Sequence, residues 1–125
     1  MFAINEDKSI YITRGDMAMF QVSAMTSDTD NYKFQAGDVI RFKVFEKKSC
    51  ENVVLQKDFT IEEETEVYDI ILEEEETRIG EIISKPKDYW YEVEVNPLDN
   101  PQTIIGYDED GAKVFRLFPK GGEKE

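Results

Sequence analysis

Apolar and polar residues alternate in short runs along this chain, and that period of two limits the fold more than any other feature. A β-strand points successive side chains to opposite faces, whereas a helix would repeat its apolar positions every three or four residues. In residues 39–45, Ile40, Phe42 and Val44 interleave with Arg41, Lys43 and Phe45. In residues 53–61, Val53, Leu55, Lys57, Phe59 and Ile61 interleave with Val54, Gln56, Asp58 and Thr60. Ala18, Phe20 and Val22 alternate in the same way with Met17, Met19 and Gln21 across residues 17–24. Residues 89–95 place Tyr89, Tyr91, Val93 and Val95 on a core face and Trp90, Glu92 and Glu94 on the opposite one. Shorter strand patterns occupy 10–13, 67–72, 103–107 and 113–118.

Between these runs lie turn signals rather than helical crossovers. Arg14-Gly15-Asp16 and Ala36-Gly37-Asp38 are tight turns, 26–31 and 47–52 are polar loops, and Lys85-Pro86-Lys87 breaks the chain. Asp108-Glu109-Asp110-Gly111 reads as a hairpin turn, and Pro97 and Pro101 end one strand and start another. The polar start, 1–7, carries no strand signal. Residues 73–78, followed by Ile79 and Gly80, form the sole helical candidate, one short turn with Gly80 as its C′ residue. About eight short strands in this order predict an all-β fold, an immunoglobulin-like antiparallel β-sandwich. Residues 1–120 make one domain and 121–125 a flexible tail. A tyrosine near the start of the 89–95 strand is placed to act as the buried hydroxyl staple of such sandwiches.

Composition narrows the chemistry. The 125 residues include no histidine and a single cysteine, Cys50. Histidine-based nucleophile systems, an internal disulfide and cysteine metal motifs are therefore outside its reach. Cys50 sits in a polar loop beside Lys47 and Lys48 with no accompanying base, and reads as incidental. The net charge of -13 opposes phosphate backbones and anionic lipid, so neither nucleic acid nor membrane is an expected partner. No apolar signal segment opens the chain and no stretch approaches 18 apolar residues, which predicts synthesis in a bacterial cytoplasm.

The remaining motifs divide between chemistry and plain structure. Arg14, Gly15 and Asp16 match an integrin-binding tripeptide, but a glycine turn flanked by charge accounts for them more simply. The glutamates at 62–64, 66 and 73–76 supply carboxylates for a glycosidase pair, yet adjacent runs read as solvated faces. Acidic loops at 28–31 and 108–111 invite a calcium reading. An EF-hand count from Asp28 reaches Val39 at position twelve, and one from Asp108 reaches Pro119, so both lack the bidentate glutamate. No metal site and no cofactor are expected. Trp90 shares the carboxylate face, either covered by a loop or exposed as a contact anchor, which makes Trp90, Glu92 and Glu94 the candidate partner-contact surface.

Taken in order, several segments carry a resemblance. They are Ile12-Thr13-Arg14-Gly15-Asp16 leading into Phe20-Gln21-Val22, then Gly37-Asp38-Val39-Ile40-Arg41-Phe42, then Tyr89-Trp90-Tyr91-Glu92-Val93-Glu94. Thr103-Ile104-Ile105-Gly106-Tyr107 and Phe115-Arg116-Leu117-Phe118-Pro119 close the series. Together they resemble the N-terminal β-sandwich modules of tail baseplate proteins from phages and prophages of Gram-positive bacteria. Such proteins usually continue into a helical stalk or receptor-binding region, whereas this sequence spans the sandwich part. The resemblance implies a non-catalytic virion assembly protein, docking other tail subunits or further copies of itself, and located in the virion once assembled. The alternative is a carbohydrate- or surface-binding module whose Trp90, Tyr89, Tyr91 and Tyr107 rings would stack on sugars.

Overall fold

The computed structural model describes residues 1–24, 31–96, 102–106 and 111–122. These fold into nine strands in two packed sheets: β1 (Phe2–Ile4), β2 (Ile10–Thr13), β3 (Ala18–Val22), β4 (Val39–Phe45), β5 (Val53–Thr60), β6 (Tyr68–Leu72), β7 (Lys87–Val95), β8 (Gln102–Ile105) and β9 (Lys113–Phe118). The larger sheet runs β1-β2-β9-β7-β4-β5, with β8 extending the β9 side of β7. The smaller sheet is an antiparallel ribbon of β3 and β6.

The period-two pattern sets what lies between the sheets. β4 buries Ile40, Phe42 and Val44, β7 buries Tyr89, Tyr91, Val93 and Val95, and β9 buries Phe115 and Leu117. From the ribbon come Ala18, Phe20, Val22, Ile70 and Leu72. Phe42 stands at the junction. Its ring centroid lies 5.9 Å from Phe20 in the opposite layer, 5.6 Å from Tyr91 and 6.2 Å from Phe115. Aromatic pairs at such separations add about 0.5–1.5 kcal/mol each beyond the area they bury.

Three expectations need correction. The fold is all-β, but residues 73–78 form consecutive turns rather than a helical turn, and among the described residues no helix occurs. Thr77 is the cause. It is fully buried, and its hydroxyl donates to the Asp16 carbonyl (2.9 Å) as well as to the Glu74 carbonyl within the segment (3.2 Å) and accepts from the Gly15 amide (3.0 Å), so the turns are tied to β3's approach. Gly80 does take a left-handed conformation (φ +66°). Secondly, the large sheet is mixed rather than antiparallel, because β2 runs parallel to β9 from Ile10↔Phe115 to Thr13↔Phe118. Alternation fixes which face of a strand is buried and leaves the direction of its neighbour open. Thirdly, the described residues hold nine strands where about eight were expected. The added one, β1, folds back on β2 through a turn in which Lys8 adopts φ +72° and the Asp7 carboxylate accepts the Ser9 amide and hydroxyl.

Tyr91 ties this first turn to the core. Its side chain is 1% exposed and its hydroxyl donates to the Lys8 carbonyl. Burial, with the Asp7 charge adding to it, pushes the Tyr91 phenol well above the ordinary tyrosine range, so it stays a donor. This is a hydroxyl staple, although it reaches the N-terminal turn rather than a residue shortly upstream on the chain.

Tyr91→Phe keeps the ring and removes the donor, leaving a carbonyl unsatisfied. Urea denaturation should show a loss of about 1–2 kcal/mol. A change below about 0.3 kcal/mol would mean that water replaces the hydroxyl and that the staple does not hold the turn.

Candidate functional site

Strand β7 lies inside the large sheet, flanked by β4 along one side and by β9 and β8 along the other. Its outward residues therefore meet cross-strand neighbours on both sides. Trp90 stands level with Phe45 of β4 and Val114 of β9. Phe45 is buried on this face, and Trp90 itself is half-buried, so it lies between the covered and the exposed alternatives. Glu92 is opposite Lys43, and Glu94 is opposite Arg41 and Thr103.

The charges on this face form a ladder of alternating sign. Arg41 holds Asp58 of β5 with two hydrogen bonds, at 2.8 and 3.0 Å, and the pairing keeps the Asp58 carboxyl below the usual range. Lys43 Nζ sits 2.6 Å from Glu94 Oε1, an atom out of solvent that has no hydrogen bond beyond this ion pair. Glu92 has no such contact. Burial raises its carboxyl above the usual range, Lys43 opposes that rise and Glu94 reinforces it. Further across, Arg116 Nε bonds Asp88 at 2.6 Å, and its guanidinium lies 5.0 Å from the Tyr11 ring centroid. None of these cross-strand pairs was legible before the register was known, since residues 17, 28 or 51 positions apart meet only once strands are aligned.

Arg14, Gly15 and Asp16 lie away from this face. The Arg14 side chain is 6% exposed, and it donates to the carbonyls of Ile79 (3.3 Å) and Gly80 (2.9 Å). Gly15 takes φ +85°, and Asp16 accepts from the N-terminal ammonium and from Lys120. An inward guanidinium is not offered to a receptor. These residues join the turn before β3 to the Ile79–Gly80 segment and to the N-terminus.

The carboxylate runs separate in space. Glu62, Glu63 and Glu64 rim an open groove of about 610 Å³ whose floor includes Ile61, Tyr68 and Ile71. Glu73, Glu74 and Glu75 are exposed, whereas Glu76 is half-buried and pairs with Lys57 at 2.7 Å. Cys50 is free and half-buried near the Trp90 face. Burial and Glu92 push its thiol upward against the pull of Lys43. The acidic loops at 28–31 and 108–111, where no calcium site was expected, fall largely outside the described residues, as does Tyr107. Among the described residues no group of three metal-capable side chains assembles, and no helix is long and apolar enough to cross a membrane.

Two measurements test the electrostatics of the face. Lys43→Met strands Glu94 and should destabilise by about 1–2 kcal/mol, less than a fully buried pair would lose, while Lys43→Met with Glu94→Leu should recover most of it. Glu92 has a raised carboxyl in the folded state, so the unfolded chain ionises first as pH rises and stability falls across that window. Glu92→Gln should therefore stabilise more at pH 7 than at pH 4 in parallel denaturation curves; equal effects at both would remove the buried-carboxyl account.

No family model matches the sequence, and no curated protein or solved structure matches it either.

Proposed function

We propose that this chain is a non-catalytic, phage-derived virion structural protein, associated with the tail or baseplate, that acts by docking other subunits. The supporting observation is the face around β7. A half-buried Trp90 beside Phe45 and Val114, bounded by Arg41, Lys43, Glu92 and Glu94, has the make-up of a protein contact: an aromatic anchor within a rim of charged side chains. The ordered strand and turn motifs of the sequence supply the virion part of the reading. An immunoglobulin-like sandwich is the finer fold we assign on the same grounds, with the β3–β6 ribbon as its shorter sheet.

Among the described residues a carbohydrate-binding role draws on Trp90 alone. Tyr89 and Tyr91 are 2% and 1% exposed, so their rings are withdrawn from any sugar. Binding on a glycan array that Trp90→Ala abolishes would favour that reading over docking.

The virion assignment is tested by inducing a lysogen that carries the gene and analysing purified particles by mass spectrometry. The chain should be present, and Trp90→Glu should reduce its incorporation at least tenfold while leaving its circular dichroism unchanged. Particles that lack the wild-type chain would overturn the proposal.

A further inference from the structure

Every open sheet leaves strand edges that must be guarded against other chains, by shortness, charge, proline or bulges. Among the described residues guards are present at every edge but that of β3; on the free edge of β6 the Ile71 carbonyl is covered by Lys57 Nζ. β1 and β8 are short, at 3 and 4 residues. β5 is long but directs Lys57 inward, where Nζ donates to the Ile71 carbonyl (2.7 Å) and pairs with Glu76, and the β4–β5 ladder carries a register shift at Val44/Phe45. Strand β3 has none of these devices. Its register with β6 runs unbroken from Ala18↔Leu72 to Val22↔Tyr68. It lies in residues 17–27, the longest run without a charged residue in a chain that is 34% charged.

The Lys57 contact also fixes which way the β3 backbone points. In an antiparallel pair, directly opposed residues alternate between exchanging hydrogen bonds and turning their groups outward. Ile71 gives its carbonyl to Lys57 on the far side, so the Met19↔Ile71 position is an outward one, and so is Gln21↔Asp69 two residues on. The N–H and C=O of Met19 and Gln21 therefore face away from β6 at the free edge of β3. Among the described residues no backbone hydrogen bond outside the β3–β6 ladder uses them. Their side chains are on the solvent face: Met19 is 62% exposed, Met17 54%, and Gln21 and Ser23 are exposed as well.

We propose that the β3 edge pairs with the β3 edge of a second copy of this chain, joining the two ribbons into one antiparallel sheet across a two-fold axis. Placing the axis at Phe20 sets Met19 opposite Gln21 of the partner copy and Gln21 opposite its Met19. The outward groups then form about four hydrogen bonds with no change of register. Phe20 keeps its place in the core. Extending the pairing sets Met17 against Ser23, so each exposed methionine is covered by a small or neutral polar side chain. A second copy fits because it brings a strand with the same outward spacing and no charge, so that no like charges face each other across the join. The remaining charge of -13 on each copy acts at longer range and is screened by salt, which gives the pairing a signature of its own. The proposal rests on the docking reading above and names one of its surfaces, distinct from the Trp90 face.

Sedimentation or light scattering of the full chain tests it. Dimer fraction should rise with protein concentration and rise further between about 50 and 500 mM salt, as the Debye length shortens. Gln21→Pro removes an outward donor without touching the β3–β6 ladder, and Met19→Lys adds charge to the join. Each should weaken dimerisation at least tenfold with unchanged circular dichroism, while Val54→Lys on β5 should not. A chain that stays monomeric at every salt and concentration, or dimers indifferent to both edge variants, would overturn the proposal. If the monomeric chain still enters particles, the edge proposal fails and the docking reading stands.

Discussion

Phe42 is the residue on which the two layers depend. Its contacts with Phe20, Tyr91 and Phe115 join the ribbon, the central strand and the last strand through one ring. Side chains packed at crystal-like density transmit displacement to one another, so a ribbon of only two strands is positioned by the larger sheet it sits on. Tyr91 then carries the same packing out to the N-terminal turn through its hydroxyl. The core thus joins aromatic contacts to aliphatic side chains, with polar ties at its margin from Tyr91, Arg14 and Thr77.

Charge is arranged differently on the two sides of the large sheet. Outward, Arg41, Lys43 and Arg116 are each matched with a carboxylate on a neighbouring strand, which ties β5 to β4, β4 to β7 and β7 to β9. The more exposed Arg116–Asp88 pair contributes little by itself, but the spacing of all three reinforces one register over its one-residue slip. Inward, Lys57 and Lys113 lie on the core side of their strands, and the Lys57 ammonium finds a carbonyl and a carboxylate together. The strong negative balance therefore resides mainly in the turns and connections, where Glu62 to Glu64 and Glu73 to Glu75 are exposed.

Strand positions were legible in the sequence because alternation is a local property. The segments read at 10–13, 39–45 and 113–118 coincide with β2, β4 and β9, and the core and outer faces of β7 fall as the pattern placed them. β1 was not legible, since Phe2-Ala3-Ile4 is too short to display a period. The parallel join of β2 to β9 was not legible either, because direction depends on residues more than 100 positions apart. The helical reading of 73–78 failed at Thr77, whose buried hydroxyl serves a different segment of chain. For the candidate site, the sequence located Trp90, Glu92 and Glu94 on one face. Their partners Lys43, Arg41 and Phe45 became visible only through strand register.

The parallel pairing of β2 with β9 also bears on how the molecule comes together in time. Residues 10–13 find their lasting neighbours at 115–118, and the Arg14 amide donates to the Phe118 carbonyl. On a ribosome that proceeds from the N-terminus, the first strands have only β1 and β2 to pair with until the last strand emerges. Closing so long a loop costs entropy before any contact repays it, which slows folding relative to a fold built from local hairpins. The β4–β5 hairpin is the local element available early, and it supplies Phe42. Assembly of the domain thus waits on β9, the strand that closes the gap between β2 and β7.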